Sequence, residues 1–385
     1  MIKKDLSLYI HIPFCEKKCA YCDFLSGPAS QEEKSYYVRT LLREIRTFEP
    51  IKTLYKVRTI FFGGGTPSTL SPQLFTQILE LIKNTFEVAP DAEISVECNP
   101  GTLSEDKLRC YRDLGVNRLS LGLQSANDHE LKLLGRIHNF EQFRNNYALA
   151  RRMGFDNINV DLMSGIPTQT MESFKYSLDK VLELGPEHIS VYSLILEEGT
   201  PFYEYYTTIE GSRLLPSEET EREMYHFTKD YLASYGYERY EISNYAKPGK
   251  ECKHNLVYWR LGQYLGFGYG AASYLDGRRF TNPKESMEDY WDYARRAYTE
   301  YKLLSPNPEK EAMEEFMFLG LRTTRGITKK DFYDRFVVPY DEVYGGVTDR
   351  LLETGLLLAD GDRLYLSERG IDVSNRVMAS FLISQ

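Results

Sequence analysis

Apolar and polar residues alternate in several short segments, and stretches with helical periodicity separate these segments. Residues 6–12 place Leu6, Leu8, Ile10 and Ile12 at every second position, which predicts a strand. Residues 31–48 repeat apolar side chains every three or four positions, which predicts a helix. Further strands are predicted at residues 58–62, 92–97, 118–122, 157–162 and 188–194, with a seventh candidate at 238–243.

Glycines mark the connections between these elements. Gly115, Gly154, Gly185 and Gly236 each stand shortly before a predicted strand, where a left-handed residue can end the preceding helix. The alternation of helix and strand predicts parallel βαβ units. Six or seven such units form either a doubly wound sheet or a barrel. Polar candidates cluster at the predicted carboxyl ends of the strands, which favours a βα barrel because its chemistry lies on that one face.

Three cysteines follow the first predicted strand within eight residues. Cys15, Cys19 and Cys22 are close enough for their thiolates to share one metal centre. Zinc or a single iron would need a fourth ligand, and a fully ligated iron–sulfur cluster would need one as well. The economical interpretation is a [4Fe–4S] cluster held through three irons, whose fourth iron is open to an exogenous ligand. A zinc loop completed by His11 is the alternative.

Other candidate residues end the later strands. Gly63, Gly64 and Gly65 allow backbone to approach a ligand closely because no Cβ intervenes. Glu97 ends the third predicted strand, where its carboxylate can bind a pair of ribose hydroxyls or an amine, unless it is only a solvated strand end. Arg136 has a planar guanidinium that can pair with a carboxylate.

Composition narrows the function classes. The 385 residues carry 47 basic and 56 acidic side chains, a formal net charge of −9. This charge argues against nucleic acid or an anionic membrane as the main partner. We expect no integral membrane segment, since no run of 18 apolar residues occurs, and no signal peptide. Clustered free cysteines fit a cytoplasmic protein, and transient membrane association stays open.

The cysteine motif resembles that of the radical-SAM superfamily, which has Cys-x3-Cys-x2-Cys with an aromatic residue, here Tyr21, before the last cysteine. The resemblance implies that the open iron takes the amino and carboxylate groups of S-adenosylmethionine. It also implies that an electron from the cluster cleaves this cofactor to methionine and a 5′-deoxyadenosyl radical. The expected fold class is therefore α/β, a partial, open barrel of six βα units.

Further motifs resemble the HemN/HemW branch of that superfamily. They are Tyr9-x-His11-Ile12-Pro13-Phe14-Cys15, Gly63-Gly64-Gly65-Thr66-Pro67-Ser68, Val96-Glu97-x-Asn99-Pro100, Gly122-Leu123-Gln124-Ser125 and Asp161-Leu162-Met163. By this resemblance, the positions that bind S-adenosylmethionine are Tyr9, Tyr21, Gly64, Gly65, Thr66, Glu97, Gln124, Arg136 and Asp161.

The branch has two divisions. Oxygen-independent coproporphyrinogen III dehydrogenases carry a fourth cysteine where this chain has Phe24, and a longer arm before the first strand, whereas only eight residues precede Tyr9 here. HemW-type haem chaperones carry Cys-Asp-Phe and a later His-Asn-x-x-Tyr-Trp, and this chain has both, the latter at residues 254–259. His254 is then a candidate axial ligand of haem iron, and Asn255 could fix its tautomer. The alternative is a core histidine beside packing aromatics.

The resemblance implies a haem chaperone that binds a [4Fe–4S] cluster, S-adenosylmethionine and haem. Its partners would be haem-acceptor proteins, respiratory ones among them, and an electron donor if the cluster is reduced. The sequence does not decide whether the protein forms a homodimer or whether S-adenosylmethionine is cleaved in its function. The alternative function is coproporphyrinogen III dehydrogenation, in which a 5′-deoxyadenosyl radical starts the decarboxylation, and a third is a radical-SAM enzyme with another substrate.

Three regions are expected along the chain. Residues 1–240 form the barrel, residues 241–305 link it and carry the haem motif, and residues 306–385 form a small α+β domain. Helices at 311–321, 329–336 and 349–356 with a hairpin at 356–366 predict a winged-helix-like module. Residues 301–385 carry 11 basic and 14 acidic side chains, which favours a structural or partner-docking lid over DNA binding.

Overall fold

Six parallel strands occupy consecutive positions in one sheet of the computed structural model, which describes residues 3–383. These strands are β1 (Lys4–Ile12), β2 (Tyr55–Gly64), β3 (Val88–Cys98), β4 (Arg118–Gln124), β5 (Ile158–Ser164) and β6 (His188–Ser193). Each pairs in parallel with the next along the chain. The predicted open arrangement of six βα units is confirmed, and the sheet does not close into a barrel within the described residues.

Helices connect these strands and bury the outer face of the sheet. They are α1 (Gln31–Thr47), α2 (Pro72–Thr85), α3 (Glu105–Asp113), α4 (Asp128–Leu133), α5 (Phe140–Arg152) and α6 (Met171–Leu184). Ser30 caps α1 through a capping box, and Ser71 caps α2, which begins at Pro72. Gly185 ends α6 in the left-handed conformation, with φ of 66°, as its place before a strand predicted.

Both edges of the parallel sheet are extended by shorter strands. On the β6 side lie β7 (Glu238–Arg239) and β8 (Asn244–Ala246), and β8 is antiparallel to β6. The seventh candidate strand is therefore a two-residue edge strand and not a seventh parallel unit. On the β1 side lie β9 (Tyr264–Phe267), β10 (Ala272–Leu275) and β11 (Arg278–Thr281). Strand β9 runs parallel to β1, and β10 and β11 are antiparallel.

Six further helices lie between β6 and residue 305. They are α7 (Pro201–Tyr206), α8 (Ile209–Ser212), α9 (Glu218–Ala233), α10 (Lys253–Trp259), α11 (Met287–Tyr293) and α12 (Ala297–Leu303). Helix α11 ends at Tyr293, and α12 begins three residues after its last cap residue, at Ala297. The domain boundaries at 240 and 305 stay a prediction, although β9 to β11 are hydrogen-bonded into the main sheet.

The C-terminal region forms a small domain of helices and a three-stranded sheet. Its elements are α13 (Glu309–Gly320), β12 (Ile327–Thr328), α14 (Lys329–Phe336), α15 (Tyr340–Glu353), β13 (Leu357–Asp360), β14 (Arg363–Leu366), α16 (Glu368–Asp372) and α17 (Ser374–Ala379). The predicted hairpin is confirmed. The helix predicted at 349–356 begins earlier, at Tyr340. The core of this domain continues into Tyr264 and Tyr274 of the main sheet and into Leu261, which lies between α10 and β9.

Candidate functional site

The three cysteines of the motif lie on the loop that follows β1, and they border a cavity of about 400 Å³ at the carboxyl ends of the strands. All three are free thiols. The Thr66 hydroxyl donates to the Cys15 sulfur at 3.6 Å, and the Arg136 Nη1 donates to the Cys19 sulfur at 3.6 Å. Both donors can hydrogen-bond a thiolate sulfur, and the thiolate is the form that binds metal. Burial, with smaller contributions from neighbouring Cys19 and Cys15, raises the pKa of the Cys22 thiol.

His11 is occupied by other contacts, which disfavours the zinc alternative. Its Nε2 lies 3.1 Å from the Leu25 carbonyl oxygen and therefore donates to it, so Nδ1 accepts from the Tyr9 hydroxyl at 3.0 Å. Among residues 3–383, no three His, Cys, Asp or Glu side chains gather closely enough for a single metal ion. Three separate thiols around an open cavity suit a cubane cluster, in which each cysteine binds a different iron.

The glycine triplet joins the end of β2 to the cysteine loop. A Cβ on Gly64, whose φ is 112°, would stand 2.5 Å from the His11 ring, and a Cβ on Gly65 would stand 2.8 Å from the Phe14 carbonyl oxygen. The Gly65 N–H donates to Ile12 O at 2.9 Å. These glycines therefore fix the distance between the cysteine loop and the cavity wall.

Arg136 is held in the cavity by two oxygen acceptors. Its Nη2 donates to Asn99 Oδ1 at 2.8 Å and to the Gly122 carbonyl at 2.6 Å, and Asn99 in turn donates to Thr66. The Nε of Arg136 is buried without a partner. A buried, unpaired guanidinium N–H beside the cysteine sulfurs fits the carboxylate of an amino-acid group. The sequence motif included Asn99, but its role in positioning Arg136 was missed.

Two carboxylates lie deeper in the same cavity. Burial raises the pKa of Glu97 to about 8, with a smaller contribution from neighbouring Asp161. Its Oε2 accepts from the Gly64 N–H at 3.1 Å. Burial also raises the pKa of Asp161, although Asn159 and Ser120 donate to it at 2.7 and 3.3 Å. Carboxyl groups in this setting can accept hydrogen bonds from hydroxyl or amine donors of a bound ligand.

The other residues predicted to contact S-adenosylmethionine line two different cavities. Tyr21 and Gln124 line the 400 Å³ cavity, together with Gly64, Gly65 and Thr66. Gln124 has a φ of 74°, a strained value for a non-glycine residue that often marks a functional site. Tyr9 does not line this cavity and lies against a smaller inner chamber of about 220 Å³. Tyr192 and Ile195, at the end of β6, also line the 400 Å³ cavity and were not predicted from the sequence. Their position at the carboxyl end of the sixth strand is the signal that could have identified them.

His254 lies in α10 and faces the inner chamber, and its side chain is almost completely buried. The Thr59 hydroxyl donates to Ser7 at 2.7 Å, so its oxygen accepts from His254 Nδ1–H, also at 2.7 Å. The lone pair of Nε2 therefore accepts from the Tyr258 hydroxyl at 2.8 Å. Thr59, and not Asn255 as the sequence suggested, fixes this tautomer. Burial, helped by Arg118, lowers the pKa of His254 to about 3, so the ring is neutral.

Comparison with known proteins places the chain in a family. Residues 9–181 match the Radical SAM superfamily, and residues 307–373 match the HemN C-terminal domain. A heme chaperone HemW from Lactococcus lactis subsp. lactis is 38% identical over 384 residues, which cover 100% of this chain and 99% of that protein. The chain belongs to the HemW family of the radical SAM superfamily. The heme chaperone HemW of Escherichia coli is 34% identical and covers 98% of each chain.

A solved structure of another radical SAM protein has the same fold. Coproporphyrinogen III oxidase (HemN) from Escherichia coli is 25% identical, with a TM-score of 0.82 over 99% of this chain and 90% of that one. Membership of the radical SAM superfamily implies a [4Fe–4S] cluster and S-adenosylmethionine. The free thiols and the unpaired Arg136 Nε fit both groups. Within residues 3–383, no helix is long and apolar enough to cross a bilayer.

Proposed function

We propose that this HemW-family protein is a haem chaperone that binds haem and passes it to acceptor proteins. The observation that carries the proposal is the hydrogen-bonded state of His254. Its Nδ1–H is held by Thr59, so the lone pair needed for iron is on Nε2. Histidine is a common axial ligand of haem iron. The relatives from Lactococcus lactis and Escherichia coli, which cover 100% and 98% of the chain, are named heme chaperones, which supports this function over coproporphyrinogen III dehydrogenation.

The proposal includes two cofactors beside haem. Cys15, Cys19 and Cys22 would hold the cluster. S-adenosylmethionine, when bound, would supply radical chemistry or a structural cap on the cluster. Around it, Arg136 would bind the carboxylate, while Glu97 and Asp161 would accept hydrogen bonds from hydroxyl or amine groups. The remaining predicted contacts are Tyr9, Tyr21, Gly64, Gly65, Thr66 and Gln124.

The same proposal covers partners and location. The acceptors would be haem proteins, respiratory ones among them, and an electron donor would act if the cluster is reduced. Six free cysteines fit a reducing cytoplasm. Contact with a membrane would be transient, during delivery to a membrane-bound acceptor.

An anaerobic haemin titration of the reconstituted protein tests the proposal. We expect a saturable, stoichiometric shift of the Soret band, and transfer of that haem to an apo-acceptor such as apomyoglobin. His254→Ala should change the ligation and weaken binding. A matched control is His129→Ala, because His129 lies on α4, outside the cavities described above. Absence of saturable binding by the wild type, together with conversion of coproporphyrinogen III, would reverse the assignment in favour of the enzyme.

A further inference from the structure

Together with Tyr9, Tyr258 stands between two spaces. It lines the inner chamber that contains the His254 imidazole, and it also lines a second cleft of about 520 Å³ between the β9 edge and α13. His254 lines only the chamber. The Tyr258 hydroxyl is hydrogen-bonded to Nε2 of His254, and the two rings meet edge to face with centroids 5.0 Å apart. The phenol thus covers the one nitrogen that can bind a metal.

The two spaces differ in size and lining. Clefts that hold small organic ligands measure about 300–1,000 Å³, so the 220 Å³ chamber is too small for a porphyrin and the 520 Å³ cleft is large enough. Trp259, Tyr264, Phe318 and Leu319 give the cleft flat apolar walls. Such walls suit the face of a planar macrocycle.

The charges at the cleft are balanced. Arg279 donates through two nitrogens to Glu315, at 2.7 and 3.0 Å, and also to the Tyr264 hydroxyl at 3.0 Å. This pair leaves the apolar walls free of an uncompensated charge. A propionate group of a porphyrin could compete with Glu315 for the same guanidinium at the edge of the cleft.

His254 and Tyr258 differ in the number of contacts that hold their side chains. The first turn of α10 is anchored by Glu93, which accepts from the backbone N–H groups of Lys253 and His254 at 3.1 and 3.0 Å. His254 is further fixed by Thr59 and by stacking on Phe61, with centroids 5.1 Å apart. Tyr258 stands near the last residue of the helix, and its hydroxyl has the His254 nitrogen as its hydrogen-bond partner. A change in the Tyr258 side chain would uncover Nε2 of His254, while Tyr9, which lines both spaces and is hydrogen-bonded to His11, would keep its place in the wall.

We propose, building on the haem-chaperone function, that the 520 Å³ cleft holds the porphyrin and that Tyr258 is a gate between haem iron and His254. Iron accepts the lone pair of Nε2 and takes the place of the Tyr258 hydroxyl. The phenol keeps its proton, no electron is transferred, and the fifth ligand that haemin brought with it leaves to solvent. The closed gate protects a neutral imidazole when haem is absent, and the reverse exchange releases haem to an acceptor.

The test combines haemin titration with electron paramagnetic resonance of the ferric protein, using full-length protein with its cluster reconstituted. Tyr258→Phe removes the hydroxyl and keeps the ring, so we expect the imidazole signature to persist and affinity to rise roughly two- to tenfold, since one hydrogen bond no longer competes. Loss of the signature in Tyr258→Phe would instead make the phenolate the iron ligand and overturn the gate.

A second variant tests the cleft without touching the gate. Ala272 is exposed on the cleft wall, so Ala272→Trp fills the space with little risk to folding. We expect haemin affinity to fall at least tenfold while the cluster absorption is unchanged. The matched control is Ala359→Trp, an exposed strand position in the C-terminal hairpin. Equal haemin affinity in Ala272→Trp and wild type would place the porphyrin elsewhere, and if wild type still transfers haem to apomyoglobin, the chaperone function survives that result.

Discussion

The Oγ1 of Thr59 lies 2.7 Å from Nδ1 of His254, although the two residues are separated by 195 positions in the chain. Because Thr59 gives its own proton to Ser7, the contact selects one tautomer of the imidazole. Thr59 lies on β2 and His254 on α10, so the tautomer of the imidazole depends on how these two elements pack and cannot be read from either segment alone.

Replacing Thr59 tests this contact. Thr59→Val keeps the shape and removes the acceptor, so the imidazole loses its fixed tautomer. We expect haemin affinity to fall about 10- to 100-fold, the usual effect of losing a partner behind a metal ligand. Thr59→Ser keeps the hydroxyl and should bind haemin as the wild type does. Equal affinity in the valine and serine variants would contradict the role given to this hydrogen bond.

The cysteine loop makes a prediction that is independent of haem. Cys15→Ser, Cys19→Ser or Cys22→Ser should each abolish the broad iron–sulfur absorption after anaerobic reconstitution. Cys110→Ser is the control, because Cys110 lies on α3 and does not line the cavity. A cluster retained in all three motif variants would refute the radical SAM cofactor site.

The glycine triplet links backbone packing to the cluster. In Gly65→Ala the new Cβ would approach backbone atoms of Phe14 and Ile12 within 2.8 to 3.0 Å. Backbone cannot yield as a flexible side chain does, so we expect a loss of about 1–3 kcal/mol in the free energy of unfolding, together with a lower iron content.

The control for that substitution lies in a helix. A Cβ on Gly346, in α15, has open space around it, so Gly346→Ala should raise stability by about 0.5–1 kcal/mol. Urea unfolding of the apo-proteins measures both changes. If Gly65→Ala were as stable as the wild type, the glycine would not be required for the close approach.

The buried carboxyl of Glu97 predicts a pH dependence. Its pKa rises from 4.5 to about 8 on folding, so the folded state binds this proton more tightly than the unfolded state. The contribution of Glu97 to stability is full below about pH 4.5 and is lost as pH rises towards 8. Glu97→Gln removes this titration and keeps an acceptor for the Gly64 N–H.

Thermal unfolding of the two apo-proteins between pH 5.5 and 8.5 measures this difference. We expect the melting temperature of Glu97→Gln, relative to wild type, to increase with pH across that range. A constant difference would show that the Glu97 carboxyl ionises as easily in the folded chain as in the unfolded one.

Local patterns predicted the parallel part of the fold because they arise from neighbouring residues. Alternation in β1 and the left-handed glycine after α6 are set within a few positions of the chain. The candidate cofactor residues were predicted for the same reason, since parallel strands bring their carboxyl ends to one face. Glu97 and Asp161 do line one cavity there.

Other features depend on contacts between distant segments. Tyr264 pairs with Ser7 of β1, which is far away in the chain. No local pattern around Tyr264 therefore indicates which strand it will pair with. Tyr258 is one of 30 tyrosines, and its position over His254 follows from how α10 packs on β2. The strained φ of Gln124 coincides with a register shift in the pairing of β4 with β5, and the residue type gives no sign of it.

The sheet order has a consequence for how the chain is made. Strand β1 lies between β2 and β9, so residue 7 pairs with residue 264. During synthesis the cysteine loop follows β1 directly, whereas β9, the second neighbour of β1, is made only after β2 to β8. Long-range pairing of this kind forms slowly. A cluster inserted before β9 is made would therefore enter a loop whose preceding strand, β1, has only one of its two neighbours in place.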